Sequence, residues 1–183
     1  MIHPILYFSL LLFELFFAIG ITIYLSSLLF SSFKGSPYVP TKNREIDTIL
    51  KSANLKKGQM FLDLGCGDAR VVRKAVQQYG VKGIGIDINP VVLFIARLKS
   101  RFSKTQDIIF LRQDILEVDI RSYDIIYLFL LPDLLKKLSN KLKTQTKKSA
   151  IIISHGFKIE NWQRYNYKTI ENKPFPTYFY SLP

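Results

Sequence analysis

Two hydrophobic patterns divide this chain. From Ile5 to Phe30 apolar residues run almost unbroken, with Glu14 the only charge among them. From Lys42 onward, short apolar runs alternate with stretches of helical period. A helix needs about 20 apolar residues to cross a hydrocarbon core of about 30 Å, so residues 1–33 read as one transmembrane anchor. A cleaved signal peptide is the competing reading. It is disfavoured by the length of the run, by the absence of Lys or Arg before it, and by the lack of a small-x-small cleavage site in Ser26–Gly35. Glu14 has two open readings: a contact with another membrane helix, or an acid kept neutral near the interface.

Ser31–Thr41, SSFKGSPYVPT, is a connector whose two prolines forbid a regular helix, and residues 34–41 separate the anchor from the domain at 42–183. There, Ile46, Ile49 and Leu50 form one stripe and predict an amphipathic helix over Lys42–Ala53. Met60–Leu64 is a buried strand, and Val71, Val72, Ala75 and Val76 mark a helix over Ala69–Tyr79. The alternation continues with strands at Gly83–Ile88, Ile108–Leu111, Tyr123–Leu130 and Ala150–Ser154 and helices at Val91–Lys99 and Leu134–Lys143. Strands separated by helix-length segments predict an α/β fold, a Rossmann-like, doubly wound and mostly parallel sheet with helices on both faces. The aromatic and β-branched runs Arg164–Glu171 and Thr177–Leu182, joined through Pro174 and Pro176, predict a closing antiparallel pair.

Chemistry gathers where the first strand stops. Phe61-Leu-Asp-Leu-Gly-Cys-Gly-Asp-Ala-Arg70 passes from an apolar strand into two glycines one residue apart. Gly65 and Gly67 permit a tight turn and bring backbone N–H groups close to a ligand, while the following helix points its positive end at the same spot. In such sheets ligands sit beyond the carboxyl ends of the strands. Three acids fall there: Asp63 on the first strand, Asp87 about 24 residues later on the second, and Asp114 after the third. A carboxylate after the second strand suits a pair of ribose hydroxyls. Each acid alone reads equally well as a loop aspartate capping a helix; three at consecutive strand ends read as a site. Arg70 stands where the dinucleotide fingerprint needs Gly or Ala, which disfavours NAD, and no Gly-Lys-Ser/Thr loop is present.

Charge narrows the partners. All 26 Lys and Arg lie at Lys34 or beyond, against 13 of the 14 acidic residues, within a formal net charge of +12 for the whole chain. Such a surface attracts anions: an anionic leaflet, nucleic acid or an acidic protein patch. The basic residues are spread more than clustered, so nucleic acid is disfavoured. Because the cations follow the apolar run, the positive-inside rule sets the domain on the cytoplasmic side of a single-pass anchor. One cysteine, Cys66, excludes an intrachain disulfide, and without clustered His or Cys no metal site is expected.

DLGCGDAR, then GIGIDINP, then RQDILE resemble, in order and spacing, the cofactor motifs of class I S-adenosylmethionine-dependent methyltransferases. The resemblance covers Pro37 to about Pro132. It implies that Gly65 and Gly67 pass the methionine portion of S-adenosylmethionine, Asp63 holds its ammonium, Asp87 with Asn89 meets the ribose, and Asp114 with Ile115 the adenine. The membrane run, PYVPT and the following helix add a narrower resemblance, to membrane-anchored lysine methyltransferases of adenine nucleotide translocase and the ATP synthase c-subunit. It implies that Tyr38, Pro40 and Thr41 form a lid, as an upstream tyrosine and threonine do in the histone methyltransferases lacking a SET domain.

Departures from the wider family also inform. Phe129-Leu-Leu-Pro-Asp133 is not the Asn/Asp-Pro-Pro-aromatic sequence used for planar amide or base nitrogens, which disfavours adenine and glutamine acceptors. No catalytic residue is assigned: His155 past the fifth strand is a candidate base, although a lone His there is more often structural. Tyr127, Phe129 and Tyr178–Tyr180 are candidate walls of an acceptor slot and, read blandly, core. The expectation is a membrane-anchored protein-lysine methyltransferase whose substrate is a membrane protein. The alternatives are a methyltransferase of a lipid or isoprenoid and a non-catalytic cofactor-binding membrane adaptor.

Overall fold

The computed structural model describes residues 4–33 and 39–183, the side chains of 28 and 30–33 excepted. The apolar run is one helix, α1 (Pro4–Phe33), and its span Pro4–Ser27 has a mean hydropathy of 2.2 with none of it buried. By length and composition it is able to cross a membrane; Glu14 is exposed on it.

The rest alternates as α2 (Asn43–Ser52), β1 (Met60–Leu64), α3 (Arg70–Tyr79), β2 (Lys82–Asp87), α4 (Pro90–Phe102), β3 (Ile108–Arg112), β4 (Ile125–Leu128), α5 (Pro132–Gln145), β5 (Ile151–His155), β6 (Asn166–Ile170) and β7 (Thr177–Ser181). One seven-stranded sheet results, ordered β3-β2-β1-β4-β5-β7-β6. The first five strands pair in parallel, and β7 runs antiparallel to both β5 and β6. This is the expected mostly parallel sheet with its antiparallel closing pair.

Side-chain alternation explains the two layers. Leu62, Leu64, Ile84, Ile86, Ile126 and Leu128 pack to one face under Leu134, Leu135, Leu138 and Leu142 of α5. Phe61, Ile125, Tyr127 and Ile153 pack to the other, under α2 and α3. In β2 the alternation is Gly-Ile-Gly-Ile. A Cβ on Gly83 would come within 2.6 Å of a Val72 methyl, and one on Gly85 within 2.9 Å of Cys66 Sγ. The glycines therefore let α3 and the turn before it lie directly on β2, which sets the turn against the strand ends.

Most boundaries move by one or two residues, and a few have a visible cause. The strand expected over Tyr123–Leu130 is regular only at Ile125–Leu128, because Tyr123, Asp124, Phe129 and Leu130 belong to the connections at either end. The helix expected to start at Ala69 starts at Arg70, since Ala69 sits in the left-handed region at φ 61°. The helix expected to end at Lys99 runs on to Phe102. Between β3 and β4 no helix forms; Ile115, Val118 and Ile120 of that connection fill the core instead.

Candidate active site

The turn after β1 is built by backbone hydrogen bonds. The N–H groups of Gly65 and Cys66 both donate to the carbonyl of Ile86, at 2.8 and 2.9 Å, so the first turn is tied to the second strand. Gly65 and Gly67 take φ values of 78° and 52°, in the left-handed region that glycine enters without a Cβ penalty. The loop then closes when Ala69 N–H donates to the Cys66 carbonyl at 2.8 Å.

Asp87 holds the two loops together. One carboxylate oxygen accepts the Gly67 N–H at 3.0 Å and the other accepts the Asn89 N–H at 2.8 Å. Burial raises its pKa, and the N–H donors of Asn89, Gly67 and Ile88 act against that rise. Asp63 is buried more completely; burial pushes its pKa up to about 8, against a hydrogen bond from the Val72 backbone and with the charges of Asp87 and Asp68 adding to it. A buried carboxyl of that kind, at the head of α3, is prepared for a cation. Asp68 is the opposite case. Burial alone would raise its pKa, but paired hydrogen bonds from Arg70 at 2.9 Å and a contact from Lys99 at 2.6 Å hold it well below the usual carboxylate range.

One cavity of about 270 Å³ joins these groups. Of the residues expected to bind cofactor, Pro40, Thr41, Asp63, Gly65, Gly67, Asp87, Asp114 and Ile115 line it. Tyr38 lies outside the described residues. Asn89 is fully buried and is not in the lining: its Oδ1 accepts the N–H groups of Val91 and Val92, capping α4, and its Nδ2 donates to the carbonyl of Ser27 in α1 at 2.9 Å. Asp114 has no helix to cap and instead braces its own turn, its carboxylate accepting the Leu116 N–H at 2.9 Å. Capping therefore describes Asn89, while Asp114 both lines the cavity and holds a local turn.

Sequence reasoning passed over several lining residues. Ile88, Val92 and Leu116 supply apolar lining near Asp87 and Asp114; Ile88 and Leu116 lie within GIGIDINP and RQDILE and Val92 two residues past the first of these, and hydrophobic side chains just past each strand-end acid were the available signal. Arg70, noted only as a departure, joins the turn to the connector by donating to the Thr41 carbonyl at 3.2 Å while it pairs with Asp68. Thr41 Oγ1 in turn lies 3.4 Å from the Tyr127 hydroxyl.

Tyr127, beside Asp63 in the sheet, also lines the cavity with Phe129, Leu130 and Leu134, and Lys137 is an exposed member of the lining. Tyr178 and Tyr180 point to the opposite face, Phe179 is fully buried, and all three are core. His155 is fully buried among Tyr127, Phe129 and Phe175, and its Nδ1 is 2.8 Å from Thr177 Oγ1. Burial lowers its pKa to about 4, so the ring is neutral, and Glu45 at 3.7 Å is beyond a hydrogen bond. It does not line the cavity.

The glycine turn, the two carboxyls and the apolar walls suit a nucleoside joined to an amino-acid chain bearing an ammonium. The described residues fit S-adenosylmethionine in this respect, and solved relatives hold its demethylated product. The chain is 29% identical, at a TM-score of 0.76 over 79% of its length and 94% of the other's, to a Salinibacter ruber protein described as an RNA methyltransferase in complex with S-adenosyl-L-homocysteine. A Thiobacillus denitrificans methyltransferase with the same ligand shares the fold at 18% identity, TM-score 0.58, over 64% of this chain and 49% of that one.

Among curated relatives, a protein-lysine N-methyltransferase of Saccharolobus islandicus is 30% identical over 69% of this chain and 80% of its own length. The mouse adenine nucleotide translocase lysine N-methyltransferase is 31% identical over 69% of this chain and 56% of its own. The human lysine N-methyltransferase of the ATP synthase c-subunit is 25% identical over 54% of its length, so the chain spans only about half of these animal relatives. The ANTKMT methyltransferase domain matches residues 63–166, from the first strand-end carboxylate to the start of β6. The chain belongs to that family and is an S-adenosylmethionine-dependent methyltransferase.

Proposed function

We propose that the chain methylates lysine side chains of a membrane protein, from a single-pass anchor whose domain faces the cytoplasm. The observation that carries the acceptor class is the lining of the cavity: the carboxyls and the glycine turn share one cavity with the apolar and aromatic side chains of Tyr127, Phe129 and Leu134. A lysine must lose a proton before it attacks, and an apolar slot lowers its pKa by disfavouring the charged form, with no strong protein base required. The names of the archaeal and animal relatives support the same class.

When bound, S-adenosylmethionine supplies an electrophilic methyl on a sulfonium sulfur. The chain's part is alignment. In this reading Asp63 accepts the donor's ammonium, Asp87 its ribose hydroxyls, and Asp114 with Ile115 its adenine. Asn89 steadies the ribose end through Asp87, Gly65 and Gly67 give the backbone close approach, and Tyr38, Pro40 and Thr41 cover the cavity. The acceptor nitrogen, having first lost a proton to water, would approach along Tyr127 and Phe129 and take the methyl as the methyl–sulfur bond breaks, with S-adenosyl-L-homocysteine as the leaving group. The organisation is an anchor at 1–33, a lid-bearing connector at 34–41 and a methyltransferase domain at 42–183. The span Pro4–Ser27 supports the anchor, and the confinement of every Lys and Arg to positions beyond that span supports the orientation.

Full chain is incubated with membranes and methyl-labelled cofactor, and label is counted separately in protein, lipid and RNA fractions. The reading expects label in membrane protein, mapped by mass spectrometry to lysine. Label confined to lipid would establish the lipid alternative, and label confined to RNA the activity described for the Salinibacter relative.

A further inference from the structure

Few large apolar side chains of the described domain stand exposed, and most of those away from the cavity gather at one edge. On α4, Phe94, Leu98 and Phe102 are 64%, 43% and 80% exposed. Spaced by four residues, they lie above one another on a single helix face. On the neighbouring β3, the edge strand of the sheet, Ile109 and Leu111 are 60% and 41% exposed. They face the side where no helix forms between β3 and β4.

Along α4 the charge is one-signed, although Lys99 pairs with Asp68 and the exposed Asp107 precedes β3. Pro90–Lys104 contains Arg97, Lys99, Arg101 and Lys104 and no acid. Arg97 reaches over the edge to the Phe110 carbonyl at 3.1 Å, so its stem covers the strand while its charge stays at the rim. An apolar stripe rimmed by Arg and Lys is the pattern of a helix lying in a bilayer interface. The same corner meets α1: Ser27, the last residue of the apolar span, bonds Asn89, and Asn89 is the residue that caps α4.

We propose that the α4–β3 edge docks on the anionic lipid surface of the membrane that α1 enters, laying α4 flat on the bilayer and turning the cavity mouth sideways along the membrane plane. This rests on the reading of α1 as a membrane anchor. Docking holds the mouth at the height where a loop of a membrane-embedded protein emerges.

The test uses the full chain reconstituted in phosphatidylcholine vesicles with or without phosphatidylglycerol. A fluorophore is attached to one new cysteine: Leu98→Cys or Phe102→Cys on the edge, Tyr167→Cys on the opposite edge strand β6, or Phe16→Cys in α1. Native Cys66 is buried, with its thiol pKa pushed up by that burial, and does not compete. Nitroxide-labelled lipid is expected to quench positions 98 and 102 several-fold more than 167, with the difference shrinking in added salt or without phosphatidylglycerol. Equally weak quenching at 98, 102 and 167, with strong quenching at 16, overturns the docking and leaves the anchor. Weak quenching at 16 as well overturns both. In a Phe94→Ser, Leu98→Ser, Phe102→Ser variant, quenching of a label at Ile109→Cys is expected to fall to the level of position 167 while cofactor binding in detergent is unchanged. Retained quenching there would show that the stripe does not hold the domain down.

Discussion

Asp87 accepts the Gly67 backbone N–H at 3.0 Å, so the carboxylate that ends β2 fixes the glycine turn that follows β1. A side chain assigned to a ligand is thus also a brace for the loop that approaches the same ligand. Asp87→Ala is expected to weaken S-adenosylmethionine binding by about tenfold or more, since hydrogen bonds to a charged group contribute about 1.5–3 kcal/mol each. Asp87→Asn, which keeps an acceptor for one N–H, is expected to lose less. Calorimetric titration of both variants checks the order; equal affinity for Asp87→Ala and the parent chain would contradict the assignment.

Asp63 gives the cofactor-free protein an unusual pH dependence. Its folded pKa, about 8, is raised above the ordinary 3.8. The stability it contributes is therefore complete below about pH 4 and is lost as pH rises through about 8. Asp63→Asn removes that loss. It is expected to raise the melting temperature at pH 8, by about 2–4 °C for each kcal/mol recovered, while weakening cofactor binding. Thermal scans at pH 5 and pH 8 test this, and a variant no more stable than the parent at pH 8 would refute it.

Arg70 links the turn to the connector through Asp68 and the Thr41 carbonyl. Arg70→Ala leaves buried Asp68 with Lys99 alone. Loss of one partner of a buried pair destabilises by about 3–5 kcal/mol when burial is complete, and Arg70 is partly exposed, so a smaller loss is expected. Weaker cofactor binding should accompany it as the connector loosens. Arg70→Lys, which cannot form the two-point contact, should recover only part. Denaturant melts and calorimetric titration of the two variants check both effects.

Phe129 and His155 separate the acceptor wall from its support. Phe129→Ala is expected to raise KM for the protein substrate several-fold with cofactor affinity nearly unchanged, because Phe129 lines the cavity and belongs to the proposed acceptor wall, outside the proposed cofactor set. His155→Asn should lower stability and leave the pH–rate profile without a lost inflection. The His155 pKa is depressed from 6.5 to about 4, so the stability its neutral ring contributes is present above 6.5 and is lost as pH falls through about 4. A new or missing inflection in the rate profile of His155→Asn would instead make it a base.

The sheet was legible because each parallel strand is a short apolar run bounded by a turn, and the acids at three strand ends stand out against those runs. The site was legible for the same reason: Asp63, Asp87 and Asp114 announce themselves by polarity. What polarity does not mark was harder to read. Gly83 and Gly85 pass for turn formers in a sequence, yet they matter for what they leave vacant beneath Val72 and Cys66. Arg70 reads as a missing glycine until Asp68 and the Thr41 carbonyl beside it are in view. Asn89 was expected at a ribose and is spent on capping α4 and on Ser27, a residue 62 positions away that no local pattern connects to it.

The connection from β3 to β4 has a consequence for how the enzyme can change. Asp114 and Leu116 line the cavity, while Ile115 both lines it and fills the core with Val118 and Ile120. On the proposed assignment of Asp114 and Ile115 to the adenine, base recognition and core packing would share one short stretch. A mutation that retunes that part of the site would then be drawn from the same positions that keep the sheet face dry, and adaptation there would proceed against stability. Phe129 carries the same double role on the aromatic side, since it lines the cavity and packs against His155 and Phe175, so retuning the acceptor wall would also draw on packing.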